Sequence, residues 1–214
     1  MSDIIIKNLK DKFEIFDNII DSLSSVLKKY GENTNRYDCP YYYTERSNIG
    51  VLSSAALMTN SWISIEEFGV TRRRSGLGRC DLYLKPIDEN NNDHEGFVIE
   101  AKKVETKSPN RINEKLLEAC EQVKKISKRN AGGSTRVGVV FVVPPIKKDS
   151  VSQKHSYLKG MFIEDYINKM IEKMEHSEAD FSAHLYLDCF RYLTGTGIYG
   201  KNYYPGLSIF GRSL

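Results

Sequence analysis

Cysteine is scarce in this chain, and what there is does not pair. Cys39, Cys80, Cys120 and Cys189 are far apart, with no CxxC and no Cys/His ligand spacing, which argues against a structural zinc site and a disulfide framework. Reduced thiols in a cytoplasmic protein are the expectation. A long apolar run is also lacking. The N-terminus offers only Ile4-Ile5-Ile6 before charges begin, and a membrane span needs about 18 apolar residues. Neither a membrane segment nor an export signal is therefore expected. Charge of one sign is missing as well: 31 basic against 28 acidic residues leaves +3, too little to argue for a polyanionic partner without local clustering. His94, His155, His176 and His184 have no ligand spacing, Ser and Cys nucleophile motifs are absent, and no internal repeat is visible.

The 214 residues, 40% of them hydrophobic, suffice for one well-buried domain. Its expected parts are an N-terminal helix and connector (1–43), a core (44–145) and a C-terminal extension (146–214). Ile6, Leu9, Phe13, Phe16, Ile20, Leu23, Leu27 and Tyr30 alternate by three and four, which predicts one long amphipathic helix over 4–30. Its stripe is widened by Ile5, Ile19 and Val26. Packing inside the protomer and packing against a second copy both stay open. Thr44 can cap a second helix from Glu45 to about Asn60. Three strands follow over 62–72, 78–84 and 96–103 as an antiparallel meander, with 88–96 as an exposed hairpin loop. A helix from Ile112 to about Asn130 leads to the apolar run Val137 to Val143, the pattern of a strand buried on both faces. A helix over 161–174 and a strand over 183–190 complete the assignable elements. The Gly/Tyr-rich tail from Thr194 has no assignable pattern. The fold class is therefore α/β with a mixed sheet.

Chemistry concentrates on the second and third strands. Residues two apart share a strand face, so Arg79, Asp81 and Tyr83 are expected together, with Cys80, Leu82 and Leu84 toward the core. Glu100 and Lys102 share a face of the next strand. Pairing these strands brings Asp81 beside Glu100, and two adjacent carboxylates call for a proton or a cation between them. A hard divalent ion suits such oxygens, and Mg²⁺ is the usual one for phosphate chemistry, with Mn²⁺ as a substitute. Lys102 then stands near a metal-bound water. The competing reading of the three residues is a surface salt-bridge cluster.

Gly78-Arg79-Cys80-Asp81-Leu82-Tyr83-Leu84 and Phe97-Val98-Ile99-Glu100-Ala101-Lys102 resemble the Asp strand and the Glu-x-Lys strand of the PD-(D/E)XK nuclease superfamily. The resemblance covers roughly 44–145, with Cys80 where the motif often has Pro. It implies a restriction-endonuclease-like αβββαβ core and catalysis by Asp81, Glu100 and Lys102. The Ala101 carbonyl is a further metal ligand under the same likeness. An acid on the first core helix, here Glu45, supports the site, with Glu66 and Glu67 as alternatives. Gln122 is the candidate polar residue of the helix that follows. A place in host defence or genome conflict also comes from the family alone.

Arg72, Arg73, Arg74 and Arg79 cluster on the first hairpin, and Lys103, Lys107, Arg111 and Lys115 follow the motif lysine. Such clusters neutralise phosphates without reading sequence. The expected function is Mg²⁺-dependent endonuclease action on DNA, the long N-terminal helix being the candidate surface for a homodimer. A catalytically silent binding module and an RNA nuclease are the alternatives.

Overall fold

A computed structural model of the protein describes residues 3–72, 76–87, 95–127, 131, 133–150, 163–190, 193 and 201–214. The strands are β1 (Ile4–Asn8), β2 (Trp62–Arg72), β3 (Gly76–Pro86), β4 (Phe97–Val104), β5 (Thr135–Val142), β6 (Ile146–Lys147), β7 (Phe181–Tyr186), β8 (Asn202–Tyr203) and β9 (Gly206–Ser213). The helices are α1 (Asp17–Asn33), α2 (Glu45–Met58), α3 (Pro109–Lys124) and α4 (Ile163–Met174). Seven strands form one sheet in the order β1-β7-β9-β5-β4-β3-β2, while β6 and β8 pair separately. Only β4 and β5 run parallel in the large sheet, so the fold is mixed α/β with a mostly antiparallel sheet.

The chain opens as a strand and not as the start of the expected long helix. β-Branched residues favour a pleated surface, and Ile4 to Asn8 pair antiparallel with β7 from Tyr186 to Ser182. A 3₁₀ turn over Asp11–Phe16 then leads into α1. The three-four spacing from Phe13 onward reports a real buried face. Phe13, Phe16, Ile20, Leu23 and Leu27 are all buried in the protomer's own core, with α2 and one face of the sheet. Each such side chain contributes about 1.5–3 kcal/mol by leaving water. The stripe is spent largely inside the protomer, and the homodimer expectation draws no support from it.

Thr44 caps α2 as its sequence suggests, its Oγ1 accepting from the Ser47 amide at 3.2 Å. The opposite sheet face carries α3 and α4. Val140, Val142, Tyr186 and Phe210 meet Ile112, Leu116, Ile167 and Met174 there. A Cβ on Gly138 would stand 2.7 Å from the Cys120 backbone nitrogen, so glycine is what lets α3 lie against β5. The tail also joins the core: β9 runs between β7 and β5, buried from Gly206 to Gly211. The strand expected over 183–190 is β7, which ends at Tyr186 and is followed by a 3₁₀ turn at Asp188–Phe190.

Candidate functional site

The pleat inverts at the middle of the β2–β3 hairpin. In β3, Leu82 and Leu84 pack on the α2 side with Ile99 and Ala101. Cys80, two residues before Leu82, should share that side but packs on the other with Val98 and Val123, where Tyr83 also lies. β2 does the same: Trp62 is buried on the α2 side, whereas Val70 and Phe68 lie with Cys80. The expected grouping of Arg79, Asp81 and Tyr83 on one face, with Cys80, Leu82 and Leu84 on the other, is thus broken at Asp81. The cause lies across the hairpin. Glu66 pairs with Leu82 and Phe68 with Cys80, which sets Glu67 opposite Asp81, and Glu67 has φ 51°. A left-handed residue inside a strand turns the pleat over, at a local cost of about 1–3 kcal/mol. Two carboxylates facing each other across a ladder also repel. Arg79 and Arg46 offset this, reaching Glu67 at 3.4 Å and 3.8 Å.

The inversion coincides with the end of the next ladder. β3 and β4 pair at Leu84↔Phe97, Tyr83↔Val98 and Leu82↔Ile99, and one step further come Asp81 and Glu100. There Asp81 substitutes a side chain for the ladder, its Oδ2 accepting from the Ala101 amide at 2.7 Å. Asp81 also lines a cleft of about 160 Å³ with Glu45, Arg46, Ile49, Glu66 and Glu67. Lys102 reaches this side as well. Its Nζ donates to the Ala101 carbonyl at 2.7 Å and lies 3.5 Å from Glu45 Oε1. Burial pushes the Glu45 carboxyl up, Lys102 draws it down and Asp81 raises it again, leaving it above its ordinary value. Position accounts for this environment, because Glu45 is the first residue of α2 and the helix packs on β2 and β3.

Glu100 is only 3% exposed and sits opposite Gly138 in the parallel β4–β5 ladder. It is not among the residues that line the cleft of Asp81 and Glu45. Among the described residues, accordingly, no three His, Cys, Asp or Glu side chains gather as a metal-holding set. The cleft brings Asp81, Glu45, Glu66 and Glu67 to one opening, with Lys102 beside Glu45. The buried Glu100, like Asp81, stands one step beyond the last β3–β4 pair.

The candidate phosphate contacts are more dispersed. Arg79 is exposed and held by Glu67. Lys103 is largely buried, its Nζ donating to the Tyr42 carbonyl at 2.8 Å and lying 3.2 Å from Glu105. That lysine ties the connector before α2 to β4. Gln122 is partly buried on α3. Arg72 ends β2, with its backbone opposite Gly76. Arg73 and Arg74 lie outside the described residues. Sequence reading passed over one feature of the cleft entirely, the left-handed backbone of Glu67, because a left-handed glutamate leaves no compositional signal.

The donors near the cleft are oxygens, although no three acids gather there as a metal-holding set among the described residues. Asp81, Glu45 and the Ala101 carbonyl present oxygen only, the ligand type that Mg²⁺ takes. The Lys102 ammonium bridges two of those oxygens, as a positive charge placed among hard acceptors should. No family model, curated protein or solved structure matches the chain.

Proposed function

We propose that the chain is a Mg²⁺-dependent endonuclease that hydrolyses DNA phosphodiester bonds, built on a restriction-endonuclease-like core of the PD-(D/E)XK kind. One observation carries this reading. The ladder between the Asp strand and the Glu-x-Lys strand opens at Asp81 and Glu100, and the opening is lined by Asp81 and Glu45 with Lys102 beside them. The order α2-β2-β3-β4-α3-β5 also suits that core.

Asp81, Glu100 and the Ala101 carbonyl would hold the ion, with Glu45 in support. When bound, Mg²⁺ polarises a phosphate oxygen and acidifies a water. The chain's own residues supply the rest. The Lys102 ammonium is a fixed positive charge where negative charge grows on the phosphate, which favours the transition state over the ground state. Glu45 orients that ammonium from the helix side. The Ala101 amide holds Asp81 in one rotamer, so the carboxylate is aimed before substrate arrives.

Incubation of the purified protein with DNA and RNA in Mg²⁺, Mn²⁺ or EDTA tests the reading. DNA cleavage that EDTA abolishes, and that Asp81→Asn and Glu100→Gln lose, is the expected result. Cleavage at the same rate in both variants defeats the site assignment, and preferential cutting of RNA moves the substrate. A second reading, a silent module that binds nucleic acid without cutting, draws on the bridging position of Lys102 and the burial of Glu100. Binding to DNA without cleavage in either metal is its signature.

A further inference from the structure

The basic residues of α3 are spent on its own acids: Arg111 pairs with Glu114, Lys115 with Glu118 at 2.7 Å, and Lys124 with Glu121 at 3.2 Å. α4 differs. Tyr166, Lys169, Met170 and Lys173 follow the i, i+3, i+4, i+7 spacing of a single helix face. With Lys107 they line a cleft of about 230 Å³. Met170 is its buried floor, while Lys169 and Lys173 are exposed at its rim. Neither of these two lysines makes an ion pair or hydrogen bond among the described residues. Lys107 completes the rim from the segment after β4. Its Nζ donates to the Tyr166 hydroxyl at 2.9 Å and lies 5.3 Å from that ring's centroid. The tyrosine thus fixes the ammonium in place while leaving its charge unneutralised.

Two lysines one helical turn apart repel each other. A third ammonium closes the same cleft, and no acid lines it. Three cations converging without a counter-charge form a site for an anion with several negative oxygens. The position suits an extended one. Lys107 follows Lys102 by five residues, which bounds their backbone separation at about 18 Å.

We infer that the cleft of Lys107, Lys169 and Lys173 is a docking surface for the phosphodiester backbone of the nucleic acid, away from the Asp81 cleft. The identity of the polyanion rests on the nuclease reading above; the convergence of cations does not. The cleft fixes the path of the backbone and carries no sequence preference, since phosphate contacts position a duplex and base contacts specify it.

Fluorescence anisotropy of labelled DNA duplexes in EDTA, over a range of salt, tests this with Lys169→Gln/Lys173→Gln and Lys169→Arg/Lys173→Arg beside the parent. The Gln variant should bind about 10- to 100-fold more weakly at ~0.1 M salt, with a log–log salt slope shallower by about 2 and the loss equal for unrelated sequences. The Arg variant should keep the parent's slope. Both should retain the parent's cleavage rate at saturating DNA in Mg²⁺. An unchanged slope in the Gln variant overturns the cleft while leaving the nuclease reading intact. A shallower slope in a protein that never cleaves keeps the cleft and removes the nuclease reading. A parent that binds no DNA at low salt overturns the inference.

Discussion

From β5 across to β1 the sheet is hydrogen-bonded along whole strands, and its buried polar groups answer one another. Between β4 and β3 the ladder parts after three residue pairs, and Asp81 beyond it faces a cleft. In the first region His184, fully buried, has Nε2 2.5 Å from Glu175 and Nδ1 2.9 Å from Ser208, whose Oγ meets the Tyr186 hydroxyl at 2.8 Å. Every member has a partner, which is what permits polar groups in an apolar layer. In the second, Glu67 holds a left-handed backbone and Asp81 replaces a ladder bond with a side-chain one. The comparison teaches that the continuous ladders go with fully partnered polar groups, and that the candidate chemistry lies where the β3–β4 ladder ends.

The largest effect should come from separating the two halves by function. Asp81→Asn keeps an acceptor for the Ala101 amide but removes the charge, so the fold should stand while cleavage falls by roughly 10³-fold. Single-turnover kinetics and thermal melts on the same preparation check it. A melt that drops with the rate would make Asp81 a structural residue.

Phe210→Ala strikes the other half. The ring is fully buried on the α3–α4 face of the sheet, packed edge-on against His184 with centroids 5.5 Å apart. Its loss should cost about 3–5 kcal/mol in urea unfolding while the rate per folded molecule holds. A rate that falls in proportion to stability would mean that the halves are coupled.

Much of this division was legible in the sequence. The core between Glu45 and Val142 follows from apolar alternation, the Thr44 cap and the turn residues, and Asp81, Glu100 and Lys102 lie on the strands their spacing suggests. What escaped is non-local. Ile4 to Asn8 read as a helix because Ile6 and Leu9 extend the three-four pattern, and only their partner β7, near the other end of the chain, makes them a strand. β9 was invisible because Gly206 and Gly211 interrupt any apolar run. Both are glycine because Leu185, Tyr186 and Phe181 occupy the space a Cβ would take. The pleat inversion depends on one backbone angle at Glu67, and period-two reasoning assumes that no such angle intervenes.

A smaller test acts on that angle. Glu67→Gly should raise stability by about 1 kcal/mol, because glycine adopts a positive φ freely. The lost ion pairs to Arg46 and Arg79 are well exposed and contribute little. Cleavage should persist, since Glu45 and not Glu67 stands beside Lys102. If Glu67→Gly is inactive, the supporting acid belongs on β2.

The smallest effect is a pH dependence confined to the closed half of the sheet. Burial pushes the Glu175 carboxyl up, but hydrogen bonds from His184 and Ser182 outweigh it and hold the group below its ordinary value. A carboxyl depressed on folding contributes stability that is fully present above the ordinary carboxylate range and is lost as pH falls through the folded value. Glu175 is the only partner of His184 Nε2 among the described contacts, and its Oε1 also accepts from Ser182 at 2.5 Å. Glu175→Gln keeps the shape and removes the charge. The parent should therefore lose stability along a steeper course than the variant as pH falls through and below the ordinary carboxylate range, with the two curves running parallel near neutral pH. Urea unfolding at a series of pH values measures the difference. Curves of equal slope through the carboxylate range would show that the His184 network holds its geometry without help from the charge on Glu175.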